Sequence, residues 1–380
     1  MRRRWIATLL VPVAVVVTCL AAELLLRLTG AYVPVGYYLP APGALRDKQS
    51  DYDVTYHIDS RGIREMPPRP PLPPGTAPVR IVLLGDSFTF GQGVEAADAM
   101  PALLEARLRG TGLPAEVVSL SAIGAGAPEY EALLLQAGLP LRPALVVVNV
   151  FGNDASEAQA FTRSQRLQRA AAHASHLVTL LRTANRARLL GKNVRLSHDP
   201  EAFWSTLEAA CRRQAPGEVC AQRVRGFRAH AGSATNNLAA ACLSDPDAVR
   251  RWVETDAKSA GWAEFRAAIM EMHRRCAAAG IPLVVGVVPD AVQVDPGHLA
   301  LVRELGVAYR EDPLRGPGRF QTLVEGLGRE LGLPVYAPIP AFRAAGPETY
   351  FPHDLHWSPA GHRLYTDGLA RTVLAALGRP

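Results

Sequence analysis

The chain has 380 residues, 48% of them hydrophobic and 20% charged, which is enough apolar material for a buried core and excludes a disordered chain. Its 41 Lys and Arg against 35 Asp and Glu leave a net charge of +6. Part of that excess is the cluster Arg2, Arg3 and Arg4, so the charge does not point to nucleic acid as a partner.

The arginines precede Trp5–Leu26, a run that is apolar apart from Thr8, Thr18 and Glu23. About twenty residues at ~1.5 Å each cover the ~30 Å hydrocarbon core of a bilayer, so the run predicts a membrane-spanning helix. The positive-inside rule leaves the arginines in the cytoplasm and sends the rest across. Residues 1–30 are therefore expected to anchor a single-pass bacterial inner-membrane protein whose main domain lies in the periplasm or outside the cell. The rival is a cleaved signal peptide, but its apolar region is only ~7–15 residues, and here the apolar helical pattern continues through Leu28. Cys19 lies in the run, and Cys211, Cys220, Cys242 and Cys276 lie beyond it. An oxidising compartment allows those four to pair in three ways, Cys211 with Cys220 closing the shortest loop, while Cys276 reads equally well as a small buried apolar residue.

Residues 31–78 read as a stalk ending in the proline-rich run Met66–Pro78, which favours an extended, semi-rigid spacer. Within it, Tyr52–Arg64 is too aromatic for a plain linker. From Val79 the pattern alternates. Strands are expected at Val79–Leu84, Ala115–Leu120, Ala144–Val150, Ile281–Val288 and Val335–Ala337. Helices are expected at Met100–Leu108, Pro128–Leu135, Trp262–Ala279, Phe320–Leu331 and Pro359–Leu377. Apolar strands separated by helices predict a three-layer α/β/α domain over residues 79–380, with a parallel sheet of about five strands. A helical insertion, residues 155–260, leaves directly after the third strand and reads as a lid or as an inert excrescence.

Four separated segments carry chemistry. They are Gly85-Asp86-Ser87, the Gly124/Gly126 loop, Gly152-Asn153-Asp154, and His353-Asp354-Leu355-His356. The first three follow expected strands, and the ends of parallel strands are where such folds place ligands. A serine, donors to an oxyanion and a histidine base make an ester-cleaving or acyl-transferring set. No Cys-x-x-Cys occurs, and His173 and His176, three apart, have no third ligand, so neither metal nor cofactor is expected.

The four segments in this order resemble the SGNH hydrolase superfamily, the GDSL esterases, and in particular a membrane-anchored bacterial branch. The resemblance implies the flavodoxin-like α/β/α fold, Ser87 as nucleophile, His356 as base, and an oxyanion hole from the N–H groups of Ser87 and Gly124 with the amide of Asn153. Gly126 remains a rival to Gly124. The usual spacing is Asp, two residues, then His, whereas the residue three before His356 is His353 and Asp354 stands two before it. The resemblance to anchored relatives implies the shorter Asp-x-His form, with Asp354 orienting His356, and it implies that the Gly62-Ile63-Arg64 element packs on the core. Asp86 and Asp154 are expected to buttress loops, and His362 and Trp357 to pack. The expected activity is removal of O-acyl groups from carbohydrate through an acyl-enzyme on Ser87. The alternatives are an O-acyltransferase that decorates exported polysaccharide with the same residues, and a glycan-binding protein that has kept only the fold.

Overall fold

The computed structural model describes residues 2–28, 43–157, 175–178, 180 and 199–379, with side chains of the first helix from Pro12 onward. His173 and most of the first half of the insertion lie outside the described residues. Arg2–Leu28 forms one helix. Among the described residues no helix is long and apolar enough to cross a membrane; the expected span, Trp5–Leu26, begins ahead of the described side chains.

Five strands form the central sheet: β3 (Val79–Gly85), β4 (Ala115–Ser121), β5 (Leu145–Val150), β6 (Leu283–Val287) and β7 (Val335–Tyr336). Their order is β4-β3-β5-β6-β7, and every pairing is parallel. The run Ile81–Leu84 and its partners Val146, Val147 and Val148 are fully buried. Because side chains alternate along a strand, Ile81, Leu83 and Val147 enter one core while Val82, Leu84, Val146 and Val148 enter the other. Each such burial is worth about 1.5–3 kcal/mol, and covering both faces requires helices on both sides. Met100–Gly110 and Pro359–Ala376 cover the first face, and Ala127–Leu133, Ala260–Ala278 and Arg319–Leu331 the second. The five strands and these five helices are those expected from the sequence, with ends moved by one or two residues at most positions.

The chain leaves β3 for β4 on one side and returns to β5 on the other, so the switch in direction falls at the C-terminal end of β3. Crevices at such switch points hold ligands in open α/β sheets. Ser87 lies there.

Within the segment 31–78 read as a stalk, residues 43–64 fold onto the body. Strands β1 (Gly43–Lys48) and β2 (Asp53–Ile58) make an antiparallel hairpin whose Tyr52, Val54, Tyr56 and Ile58 bury against Phe90. The Arg64 guanidinium donates to the carbonyls of Phe90, Gly91 and Val94 at 2.9, 2.7 and 2.6 Å. The second half of the insertion is likewise part of the body. Its helices Pro200–Cys211, Gly217–Ala231, Asn237–Ser244 and Pro246–Val253 join the first core through Trp204, Phe227, Leu238 and Trp252. Cys211 and Cys220 are disulfide-bonded with Cα atoms 5.8 Å apart, while Cys242 and Cys276 are buried free thiols.

Candidate active site

Gly85 ends β3, and the chain turns at once into the short helix Ser87–Phe90. Asp86 caps that turn by accepting the Phe88 N–H at 3.0 Å. Ser87 stands on the first position of the turn, 8% exposed. Its partner comes from the other end of the chain. Tyr350 and Trp357 form an isolated antiparallel bridge, and the Phe351 N–H donates to the His356 carbonyl at 3.1 Å, so residues 350–357 fold back as a tight loop. Trp357, fully buried against Phe88, Phe342 and Tyr365, fixes the base of that loop.

His356 Nε2 lies 2.8 Å from Ser87 Oγ, and His356 Nδ1 lies 2.5 Å from Asp354 Oδ1. The same oxygen accepts the His356 backbone N–H at 2.9 Å. This carboxylate-to-backbone turn is the local reason that a two-residue spacing works: it folds the side chain of Asp354 beneath the ring two residues on. His353 points elsewhere. Its Nδ1 lies 2.8 Å from Asp51 Oδ1, and its N–H donates to Asp51 Oδ2 at 2.7 Å.

The charges agree with that geometry. Burial works to raise the Asp354 carboxyl, but the charge and hydrogen bonds of His356 outweigh it and hold the group below the usual aspartate value. Burial works to lower His356, but Asp354, with Asp86 and Asp47 behind it, holds the imidazole above its ordinary 6.5. His362, buried and near the positive charges of Arg64 and His356, is pushed down to about 3 and stays neutral. Burial raises Asp86 to about 6 against the Phe88 N–H, the His356 charge and a hydrogen bond from the Asn153 side chain.

Asn153 starts a short helix after β5, and that bond sets its amide beside the Ser87 turn. Gly152 before it has no room for a side chain, since a Cβ would fall 1.9 Å from the Trp252 carbonyl oxygen. Asp154 buttresses: its carboxylate accepts the Phe151 N–H and the Tyr130 hydroxyl, both at 2.9 Å. Of the two glycines, Gly126 already donates its N–H to Glu129 at 3.0 Å. Gly124 occupies an exposed turn at φ +71°, a left-handed conformation that favours glycine.

Residues that the sequence did not single out also converge here. Asn237, from the insertion, donates to Asp354 Oδ2 at 3.3 Å and to the Tyr52 hydroxyl at 2.9 Å. Asp47 accepts from Tyr56 and Gln92 at 3.1 Å each. His298 Nε2 reaches the carbonyls of Phe351 and Asp354 at 2.8 and 3.2 Å, steadying the loop from beneath. The only signal in the sequence was Thr235-Asn236-Asn237 before an apolar helix, which announces a helix cap but not what the cap touches.

Residues 250–379 match the family model described as "SGNH hydrolase-like domain, acetyltransferase AlgX". That stretch, about a third of the chain, is similar to SGNH hydrolase-like domains. The matched stretch contains Asp354 and His356, while Ser87 and Asn153 lie outside it. Among solved structures, the chain is similar to the psychrotrophic esterase EstA from Pseudoalteromonas sp., at 9% identity and a TM-score of 0.39, covering 79% of this chain and 100% of that one. It is also similar to the lipase/acylhydrolase from Enterococcus faecalis, at 13% identity and a TM-score of 0.38, covering 78% of this chain and 95% of that one. An acetyl xylan esterase, AlAXEase, matches at 10% identity and a TM-score of 0.38, covering 78% and 100%. Likenesses of that degree say nothing about substrate. No curated protein matches the chain by sequence.

Proposed function

We propose that the protein is a serine-dependent O-acyltransferase that passes an acetyl group from a donor to a carbohydrate hydroxyl through an acyl-enzyme on Ser87. The observation that carries this reading is the match of residues 250–379 to an acetyltransferase family model, in a stretch whose His356 stands 2.8 Å from Ser87 Oγ. Of the two catalytic readings that the sequence left open, the match favours transfer over hydrolysis.

In the first half-reaction Ser87 Oγ attacks the acyl carbon while His356 Nε2 takes the hydroxyl proton. Asp354 stabilises the imidazolium that forms. The N–H groups of Ser87 and Gly124 and the amide of Asn153 receive the oxyanion, each donor being worth about 2.7–4 kcal/mol in such sites. Collapse of the tetrahedral species expels the donor's leaving group, which takes the proton from His356. In the second half-reaction His356 deprotonates the acceptor hydroxyl, that oxygen attacks the acyl carbon, and Ser87 leaves with its proton restored.

The test supplies 4-nitrophenyl acetate to the full chain with and without a soluble oligosaccharide. Transfer requires acetylated oligosaccharide by mass spectrometry and faster nitrophenolate release when acceptor is present. Acetate alone, at a rate that ignores the acceptor, makes the protein an esterase. Equal release by Ser87→Ala rejects the acyl-enzyme altogether.

Export to the periplasm, with the N-terminal helix held in the inner membrane, is part of the same proposal. Its supports are Arg2, Arg3 and Arg4, the exposed side chains of Val13, Val15, Val16, Val17, Leu20, Leu24 and Leu25, and the Cys211–Cys220 disulfide. Disulfides persist in oxidising compartments.

A further inference from the structure

Asp354 is fully buried, and a buried carboxylate needs a donor for each oxygen. Oδ1 is used twice by His356. Oδ2 faces the Asn237 amide at 3.3 Å, and Asn237 is its one donor among the described residues. A carboxylate only accepts, so the NH2 side of that amide must face Asp354.

Asn237 opens the helix Asn237–Ser244 of the insertion and is held from behind. Asn236, fully buried, caps the helix by accepting the Ala239 N–H at 2.8 Å. Its own amide donates to Ser50 Oγ and to the His353 carbonyl, both at 2.8 Å. The Thr235 hydroxyl donates to the Lys48 carbonyl at 3.0 Å, and the Thr235 carbonyl accepts the Ser50 N–H at 3.1 Å. Three consecutive residues thus join the insertion, the β1–β2 hairpin and the loop that carries Asp354.

We propose that Thr235-Asn236-Asn237 is a tether between these elements, in which Asn237 is a positioning residue that holds Asp354 by its second oxygen and so aims His356 at Ser87. The inference rests on the reading of Ser87, His356 and Asp354 as the reacting set. It also gives the insertion a place in the chemistry that neither a lid nor an inert excrescence would have.

The surroundings of His356 fix the sign of the expected effects. Asp354 lies on its own loop, Asp86 on the Ser87 turn, Asp47 on the hairpin and neutral His362 on the terminal helix. Tyr52, buried beside Asp354 and Asp47, keeps its proton. In this acidic setting the Asn237 amide turns the positive end of a dipole toward the pair. That end opposes an added proton on His356, and a carboxylate in its place would favour one.

The experiment compares wild type with Asn237→Asp and Asn237→Ala as full chains in detergent micelles. It measures kcat and KM for 4-nitrophenyl acetate against pH, and follows the ring nitrogens of His356 by NMR. Losing a hydrogen bond to a charged group predicts a fall in kcat of about ten- to a hundredfold for both variants, with KM changed less than about threefold. Asn237→Asp should also move the acid limb and the His356 titration to higher pH, further than Asn237→Ala does. A purely structural tether would lower the melting temperature and leave kcat and the titration at wild-type values, which would overturn the proposal. Should Asn237→Asp not fold, Asn237→Ala carries the same readouts. If Ser87→Ala keeps wild-type turnover, the acyl-enzyme reading has failed, while the ring titration still decides the role of Asn237.

Discussion

Two histidines, three residues apart, have been given different partners. His353 spends its ring on Asp51, whereas His356 stands between Asp354 and Ser87. Asp354→Asn should therefore lower turnover by about 10⁴, because the amide no longer selects the tautomer that leaves Nε2 free to accept. His353→Ala should cost about tenfold or less, and the reverse ranking in a simple ester assay would reject this assignment. The raised His356 imidazole carries a pH signature. Catalysis needs the neutral ring, so the acid limb of kcat/KM should lie above 6.5, with activity lost as pH falls through it. Asp47→Asn removes one of the charges that raise it and should shift that limb downward; an unmoved or upward limb would show that Asp47 does not act on the ring. Ser87, Asn153, Asp354 and His356 were legible because motif order and polar residue types survive in one dimension. Asn237 was not, because an amide serving a carboxylate 117 positions away looks in sequence like any helix-start asparagine.

Among the elements, the parallel strands were the easiest to read, since burial on both faces demands unbroken apolar runs such as Ile81–Leu84. The β1–β2 hairpin was missed for the opposite reason. Gly43–Lys48 carries its side chains mostly toward solvent and alternates only weakly, and its neighbour Asp53–Ile58 alternates beside a proline run that suggested a spacer. The helix Pro296–Glu304 was also passed over, although Asp295 caps it and Pro296 stands at its first position, both of which are start signals. Just past the hairpin, Arg64 clamps the segment that follows Ser87, and burial pushes its guanidinium down to about 10. Arg64→Ala leaves the carbonyls of Phe90, Gly91 and Val94 without that donor and should destabilise the protein by about 3 kcal/mol or more in urea. Arg64→Lys should recover only part of this, because an ammonium lacks the planar fork that reaches three acceptors at once. A loss under about 0.5 kcal/mol in both variants would show that the clamp contributes little.

For the molecule as a whole, the proposed export is open to a direct measurement. An alkaline phosphatase fused after Pro380 should be active in bacterial cells, and the fusion should remain with membranes after carbonate washing. A soluble product beginning near Glu23 would identify the N-terminal helix as a cleaved signal instead. Catalytic work calls for the whole chain, because cutting at Val79 would discard Asp51, Tyr52 and Arg64 along with the proline run. The contact between Ser87 and His356 has a further consequence, since it closes across 269 positions of sequence. A chain made from its N-terminus presents the serine 269 positions ahead of the histidine, and loop-closing contacts of such reach form late in folding. On the proposed reading, the nascent protein is thus chemically silent until Asp354 and His356 have been delivered. On that reading, a product that stalls before this point carries an unarmed hydroxyl and spends no acyl donor.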